Sequence, residues 1–272
     1  MRTWVLAIVF AMFAGGASAQ VSTHLKRCEA DNATISDLIK HCTVAIKSGK
    51  LSRAREARAF LNRGLAFFWR EQYTLALRDY RLAELRDARI PELYTNRANT
   101  HVRMGNAALA VSDYDRALSL DSNDTQSLIG KGTALVQLQR YSEAAQAYTQ
   151  ATRIDPQDAN AWFNLGIAQR RMNDHPAALH AYTRAIALSP EDAEAYVGRA
   201  RSKQAQGDSN GAIQDLSSAV RIDPAYSYAF YQRGRILYDS GRKAQARNDL
   251  STAYQLGLDI PWLAEYVAAL GQ

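Results

Sequence analysis

Four side chains near the start of the chain carry atoms that bind metals or form covalent bonds: His24, Cys28, His41 and Cys42. Imidazoles and thiolates together are zinc or copper ligands. His24 and Cys28 are one helical turn apart, on one face. His41 and Cys42 are adjacent, so on a helix they point ~100° apart. Joint ligation is awkward, and no metal is expected. A disulfide between Cys28 and Cys42 is the expected chemistry in an oxidising compartment. Catalytic constellations are not found. The chain contains no H-E-x-x-H, no G-x-S-x-G and no phosphate-binding glycine loop. His175 and His180 are close in sequence, but His175 precedes Pro176 at a turn, so the two do not share a face. No nucleophile has a base and an orienting group beside it. The expectation is a protein that is not an enzyme and needs no cofactor.

The first residues point to export. Arg2 is the only charge before Lys26, and an apolar run from Trp4 to Ala14 leads into Ala17-Ser18-Ala19. A basic start, a short apolar core and an A-x-A end make a secretory signal peptide, with cleavage expected after Ala19. The run falls short of the ~20 residues that a permanent span requires. Leu25-Lys26-Arg27-Cys28 resembles a lipoprotein cleavage box only loosely, because two charges precede the cysteine. The expected location is periplasmic or secreted, with no transmembrane segment after signal cleavage. Charged residues make up 22% and hydrophobic residues 47% of the chain, which excludes a disordered composition. The net charge of +6 is spread along the sequence. Its densest cluster, Arg53, Arg55, Arg58 and Arg63, reads as a solvated helix face. Nucleic acid is not an expected partner, since that would call for a concentrated basic face.

These side chains sit in a strongly periodic sequence. Asp121-Ser122, Asp155-Pro156, Ser189-Pro190 and Asp223-Pro224 recur every 34 residues. Small residues keep the same step at Gly64, Ala98, Gly132, Gly166, Ala200 and Gly234, and alanines recur from Ala76 to Ala246 and from Ala83 to Ala253. A large residue recurs at Tyr80, Tyr114, Tyr148, Tyr182, Leu216 and Leu250. Asp79, Asp113 and Asp215 each precede a member of that column, which suggests a helix-face role. Small residues let helix axes approach, the large column fills the space between neighbouring hairpins, and proline stops the second helix. Gly105-Asn106, Asn173-Asp174, Gly207-Asp208 and Gly241-Arg242 mark the turn inside a hairpin. Each unit reads helix, tight turn, helix, loop, and buries its apolar face only by stacking on its neighbours.

The 34-residue period resembles the tetratricopeptide repeat. The fourth unit carries the signature best, with Trp162, Leu165, Gly166, Ala178, Tyr182, Ala185 and Pro190. The resemblance implies an all-α fold, a right-handed α-solenoid of six tandem 34-residue helix-turn-helix units with N- and C-terminal capping helices. The units are assigned to residues 57–90, 91–124, 125–158, 159–192, 193–226 and 227–260. The first carries Ala88, the second Ser122 and the sixth Asp259-Ile260-Pro261 where proline is expected. Only the fourth keeps leucine at the seventh position. The others carry Arg63, Arg97, Lys131, Arg199 and Arg233, a column expected to be partly exposed. Residues 20–56 are expected to form a capping hairpin, with Thr34-x-x-Asp37 opening its second helix and Gly49 stopping it. Residues 261–272, including Trp262, Leu263, Tyr266, Val267 and Leu270, are expected to form a final capping helix.

In the family, the first helix of each hairpin lines a concave groove that holds a partner peptide or helix. Carried onto this sequence, the inner positions include Asn62, Asn96, Asn164 and Gln232, whose carboxamides can bond an extended backbone. Arg103, Arg170, Arg171, Arg201 and Arg235 suit carboxylates, and Phe163, Tyr228, Tyr231 and Tyr238 are interleaved with them. Leu61, Leu65, Phe68 and Trp69 are read either as an anchor for a partner or as packing beneath the N-terminal hairpin. The lysine and asparagine clamp of some family members is absent, because the corresponding first-unit positions are Leu61 and Leu65. The expected function is a non-catalytic protein–protein interaction scaffold of the cell envelope, taking a partner with acidic residues. A cell-wall or glycan-binding accessory module is the second class, drawing on the groove aromatics.

Overall fold

The computed structural model describes residues 21–30, 33–260 and 263. The expected signal peptide at residues 1–19 and most of the expected C-terminal helix lie outside the described residues. Among the described residues there is no strand, and none of the helices is long and apolar enough to cross a membrane. Residues 21–28 are helical. After them come α1 (Ile35–Lys47), α2 (Arg53–Trp69), α3 (Tyr73–Arg86), α4 (Pro91–Arg103), α5 (Ala107–Leu120), α6 (Thr125–Gln137) and α7 (Tyr141–Ile154). The chain continues with α8 (Ala159–Arg171), α9 (His175–Leu188), α10 (Ala193–Ala205), α11 (Ser209–Ile222), α12 (Ser227–Asp239) and α13 (Lys243–Gln255). The chain forms two compact units that divide between Ala134 and Leu135, inside α6. In the first, α2 pairs with α3 and α4 with α5, and the pairs stack through α3 and α4. In the second, the pairs are α8 with α9, α10 with α11 and α12 with α13, stacked in chain order. Within each unit this is the helical-hairpin stacking of an α-solenoid.

The recurring columns explain the stacking. Tyr80, Tyr114, Tyr148 and Tyr182 are almost wholly buried. A Cβ added to Gly64 would meet the Tyr80 ring at 2.7 Å, and one added to Gly166 would meet Tyr182 at 2.8 Å. Gly198 of the following hairpin lies against the same Tyr182 ring, so one tyrosine fills the space between two hairpins. This is close packing that an extra methyl group would disrupt. The second helices stop at an extended residue whose N–H returns to the recurring alanine, as Asp87 does to Ala83, Asp121 to Ala117 and Asp155 to Ala151. The carboxylates of Asp121, Asp155 and Asp223 accept from the N–H two residues on, shaping the loop to the next hairpin.

The N-terminal hairpin is fastened to the first repeat. Thr34 Oγ1 accepts from the Asp37 N–H and opens α1, and Gly49 ends it in the left-handed region at φ 65°. Cys28 and Cys42 are both fully buried in disulfide geometry, with their Cα atoms 4.9 Å apart, and pack with Ala59 of α2. Trp69 does not pack there. It is 64% exposed, while Leu61 and Phe68 belong to the core of the first repeat. At the other end Leu263 is buried against Tyr231, Leu250 and Ala253.

Candidate binding surfaces

The arginine column is a set of ion pairs. Arg63 Nε and Nη2 donate to Asp79 at 2.6 and 2.9 Å, and Arg97 donates both ways to Asp113 at 2.8 and 2.7 Å. Arg199 pairs with Asp215 and Arg233 with Asp249 in the same two-pronged way. Each pair joins the two helices of one hairpin across sixteen residues. A remaining nitrogen reaches back to the preceding element: Arg63 to Thr43, Arg97 to Glu84, Arg199 to Thr183 and Arg233 to Ser217. The guanidinium also lies over the aromatic three residues earlier, as Arg97 does over Tyr94 and Arg233 over Phe230. The column is therefore a set of latches within and between hairpins. Partial exposure describes Arg97, Arg199 and Arg233, but Arg63 is buried, which corrects its reading as part of a solvated basic face. Burial opposes the charge of Arg97, yet bonds to Asp113 and Glu84 dominate and raise its pKa.

In the first unit, the first helices α2 and α4 and the start of α6 enclose a cleft of about 500 Å³. Asn62 and Asn96 line it beside Leu61, Leu65 and Pro91, together with Asp121 and Asp124. The expected carboxamide ladder is only partly available. Asn62 Nδ2 donates to the Cys28 carbonyl at 2.8 Å, tying α2 to the N-terminal segment. The same column carries Gly130 and Gly198, which receive the tyrosine rings of the preceding hairpins.

In the second unit, α8, α10 and α12 enclose a cleft of about 400 Å³. Arg170, Arg201, Gln232 and Arg235 line it together with Asn173, His175 and Gln204, and no carboxylate does. The structure thus gathers three of the five expected arginines and one expected carboxamide. Arg170 Nε and His175 Nδ1 are buried without hydrogen-bond partners. Arg170 lies near the buried Tyr182 hydroxyl, whose pKa burial raises while Arg170 opposes the rise. Arg171 is exposed and outside this cleft. Arg103 belongs to the first unit, exposed at the end of α4 beside the Tyr73 hydroxyl. Asn164 is half-buried and does not line the cleft.

The groove aromatics are mostly consumed by packing. Phe163 lies against the Tyr182 ring at 6.0 Å and in the core with Ile186 and Ala195. Tyr231 is buried in the core of the last hairpin, and Tyr228 packs on it at 6.2 Å between ring centroids. Tyr238 is half-buried. Phe163 and Tyr231 thus spend their rings on packing, while Tyr228 and Tyr238 stay partly exposed. A first helix in a stack touches its own partner helix and both neighbours, which leaves it a narrow free stripe. Among the described residues no group of three or more His, Cys, Asp or Glu gathers as a metal would require.

Comparison with known proteins agrees with this architecture. Family models described as tetratricopeptide repeat match residues 91–124, 159–192 and 197–260, and one described as TPR repeat matches residues 132–173. The chain belongs to the tetratricopeptide repeat family, whose fold is generally a non-catalytic scaffold for protein interaction. It is similar to the solved structure of a tetratricopeptide repeat protein from Parabacteroides merdae, at 17% identity over 94% of this chain and 99% of that one, with a TM-score of 0.63. It is also similar to YrrB, "a TPR protein with an unusual peptide-binding site", at 24% identity over 70% and 97%, TM-score 0.59. MamA from Desulfovibrio magneticus matches at 20% identity over 61% and 94%, TM-score 0.58. A comparison with curated protein sequences found no match.

Proposed function

We propose that this chain is a non-catalytic interaction scaffold of the cell envelope, whose second-unit cleft receives acidic side chains of a partner protein. One observation carries this reading. The arginines of the recurring column each meet a carboxylate, as Arg63, Arg97, Arg199 and Arg233 do. Arg170, Arg201 and Arg235 converge on a cleft with no carboxylate in its lining. Arg235 lies over the Tyr231 ring and Arg170 beside the Tyr182 hydroxyl, but guanidiniums gathered in a lining without a carboxylate repel one another and gain most from a ligand that supplies the missing oxygens in a two-pronged geometry. Gln232 and Gln204 add amides that can bond the ligand backbone. YrrB, described as having an unusual peptide-binding site, makes a peptide an apt partner. Export rests on the basic, apolar and A-x-A pattern before Gln20, and the Cys28–Cys42 pairing suits an oxidising compartment. Protein recovered from the envelope is expected to begin at Gln20 by mass spectrometry. The glycan-binding alternative draws less support from the groove, since Phe163 and Tyr231 are packed inside and Tyr228 and Tyr238 are only partly exposed.

The binding test uses a labelled peptide rich in Asp and Glu and a lysine-rich control. The acidic peptide is expected to bind, and Arg201→Glu or Arg235→Glu is expected to weaken it ~30-fold or more, the effect of setting like charges together. Arg171→Glu, outside the cleft, is expected to change affinity only a few-fold. Equal losses at Arg171 and Arg201, or equal binding of both peptides, would remove the assignment.

A further inference from the structure

The N-terminal hairpin contains a second contact beside the cysteine pair. His24 Nδ1 and His41 Nδ1 lie 2.6 Å apart, with ring centroids at 4.8 Å. At that separation one nitrogen carries a proton and the other accepts it. Two imidazoliums would set two N–H groups head to head, with no acceptor between them. His41 is 5% exposed, so a charge forced on it has little water to take up the field. The surrounding charges do not help a second proton. Arg27 stands on the same segment and Lys40 on α1, and both add positive charge near the pair. From α2, Arg63 reaches Thr43 of α1, but its charge is already matched by Asp79. Around Leu25, the neighbouring cleft is lined by Lys50 and Arg55. Among the described residues, the carboxylate that acts on His41 is Asp37, whose Oδ1 is 3.8 Å from His41 Nε2 and whose side chain is partly in solvent.

We propose that the His24–His41 contact is an acid-sensitive clasp, which holds the helical stretch 21–28 on α1 and lets its N-terminal part open about Cys28. The Cys28–Cys42 pairing and the Asn62 bond to the Cys28 carbonyl fix the far end of the stretch, so opening is a swing and not a release. Residues 21–27 carry Leu25, which is buried at the edge of a cleft of about 530 Å³ with Leu51. Opening exposes that apolar edge and the buried face of His41. The direction of the pH effect follows from the same surroundings. Burial, then the positive charges of His24, Arg27 and Lys40, hold the His41 pKa below the usual histidine range, against the pull of Asp37. A depressed value means that the closed form favours the neutral ring. The clasp is at full strength above the ordinary histidine value of about 6.5 and is lost as pH falls through that value toward the depressed one.

Hydrogen exchange of the full, non-reduced chain, corrected for intrinsic rates, tests the clasp at about pH 7.5 and about pH 5, either side of histidine titration. In the wild type, protection across residues 21–27 is expected to fall ~10-fold or more at the lower pH, because the open form takes up the proton that the closed form resists. His24→Gln keeps a neutral hydrogen-bonding side chain at both values, so only the burial of His41 is left to respond to acid and its loss of protection is expected to be clearly smaller. The proposal is overturned by an unchanged wild type, or by the same pH response in His24→Gln. Where His24→Gln opens the stretch at both values, imidazole titration by NMR decides. His41 is expected to titrate lower in the wild type than in His24→Gln, and equal values overturn the clasp.

Discussion

At the residue scale, what matters about each arginine is whether a carboxylate meets it. Arg63 is 8% exposed and Asp79 fully buried, so neither tolerates loss of the other. Asp79→Ala leaves a buried guanidinium without its counter-ion, which costs about 3–5 kcal/mol. The fourth repeat shows the alternative, because it carries Leu165 and Ala181 at the equivalent positions. The double variant Arg63→Leu with Asp79→Ala copies that solution and is expected to recover most of the lost stability, since apolar replacement of a buried pair is often neutral. Urea unfolding followed by circular dichroism measures both. Equal losses in the single and double variants would show that Asp79 serves some other partner. The two columns were each visible in the sequence, as a run of Arg or Lys and a run of Asp. Their pairing was not, because reading a repeat aligns the same position in successive units, whereas these partners lie sixteen residues apart inside one. Where Asp gives way to Ala181, Arg gives way to Leu165, and where it gives way to Ala147, Arg gives way to Lys131, which pairs with Asp115 instead; that joint change of Arg with Asp is the signal that would have found them.

At the scale of the element, the turn inside each hairpin demands a left-handed residue. Gly105, Gly207 and Gly241 supply it at φ 76°, 84° and 76°, and Asn173 does so at 61°. Glu71 and Gln139 occupy the same place at φ 59°, where a side chain costs roughly 1 kcal/mol. The N–H of Gln72 returns to the Phe67 carbonyl and that of Arg140 to Leu135, so the turn geometry holds even without glycine. Glu71→Gly and Gln139→Gly are each expected to stabilise by about 0.5 kcal/mol, the relieved strain less the extra freedom of glycine in the unfolded chain. Thermal unfolding is expected to show a Tm raised by about 1–2 °C for each, and a fall would mean that the side chains make contacts worth more than the strain. The helices, the turns bearing Gly or Asn and the cap at Thr34 were legible, because period and turn chemistry are local. The fate of Phe163 and Tyr231 was not. An inner-helix position faces either the free stripe or the neighbouring hairpin, and only the packed structure separates the two.

At the scale of the whole molecule, a net charge of +6 coexists with arginines of two kinds, and salt separates them. The paired ones sit with their carboxylates at 2.6 to 2.9 Å in half-buried or buried places, where dissolved ions scarcely reach. Arg201 and Arg235 are exposed in a cleft whose lining holds no carboxylate, Arg235 lying over the Tyr231 ring, and Arg170 faces the same opening. The screening length shrinks from about 10 Å at 0.1 M salt to about 3 Å at 1 M. The fold is therefore expected to keep its urea midpoint across that range, apart from general salt effects on burial. Affinity for an acidic peptide is expected to fall ~10-fold or more, mainly through a slower association rate, because long-range attraction steers the encounter. Association kinetics by surface-immobilised peptide at graded salt provide the measurement. A salt-independent affinity would place recognition on apolar contacts such as exposed Trp69, and would move the binding surface away from the second-unit cleft. A salt-dependent fold would show instead that the latches are weaker than their geometry implies.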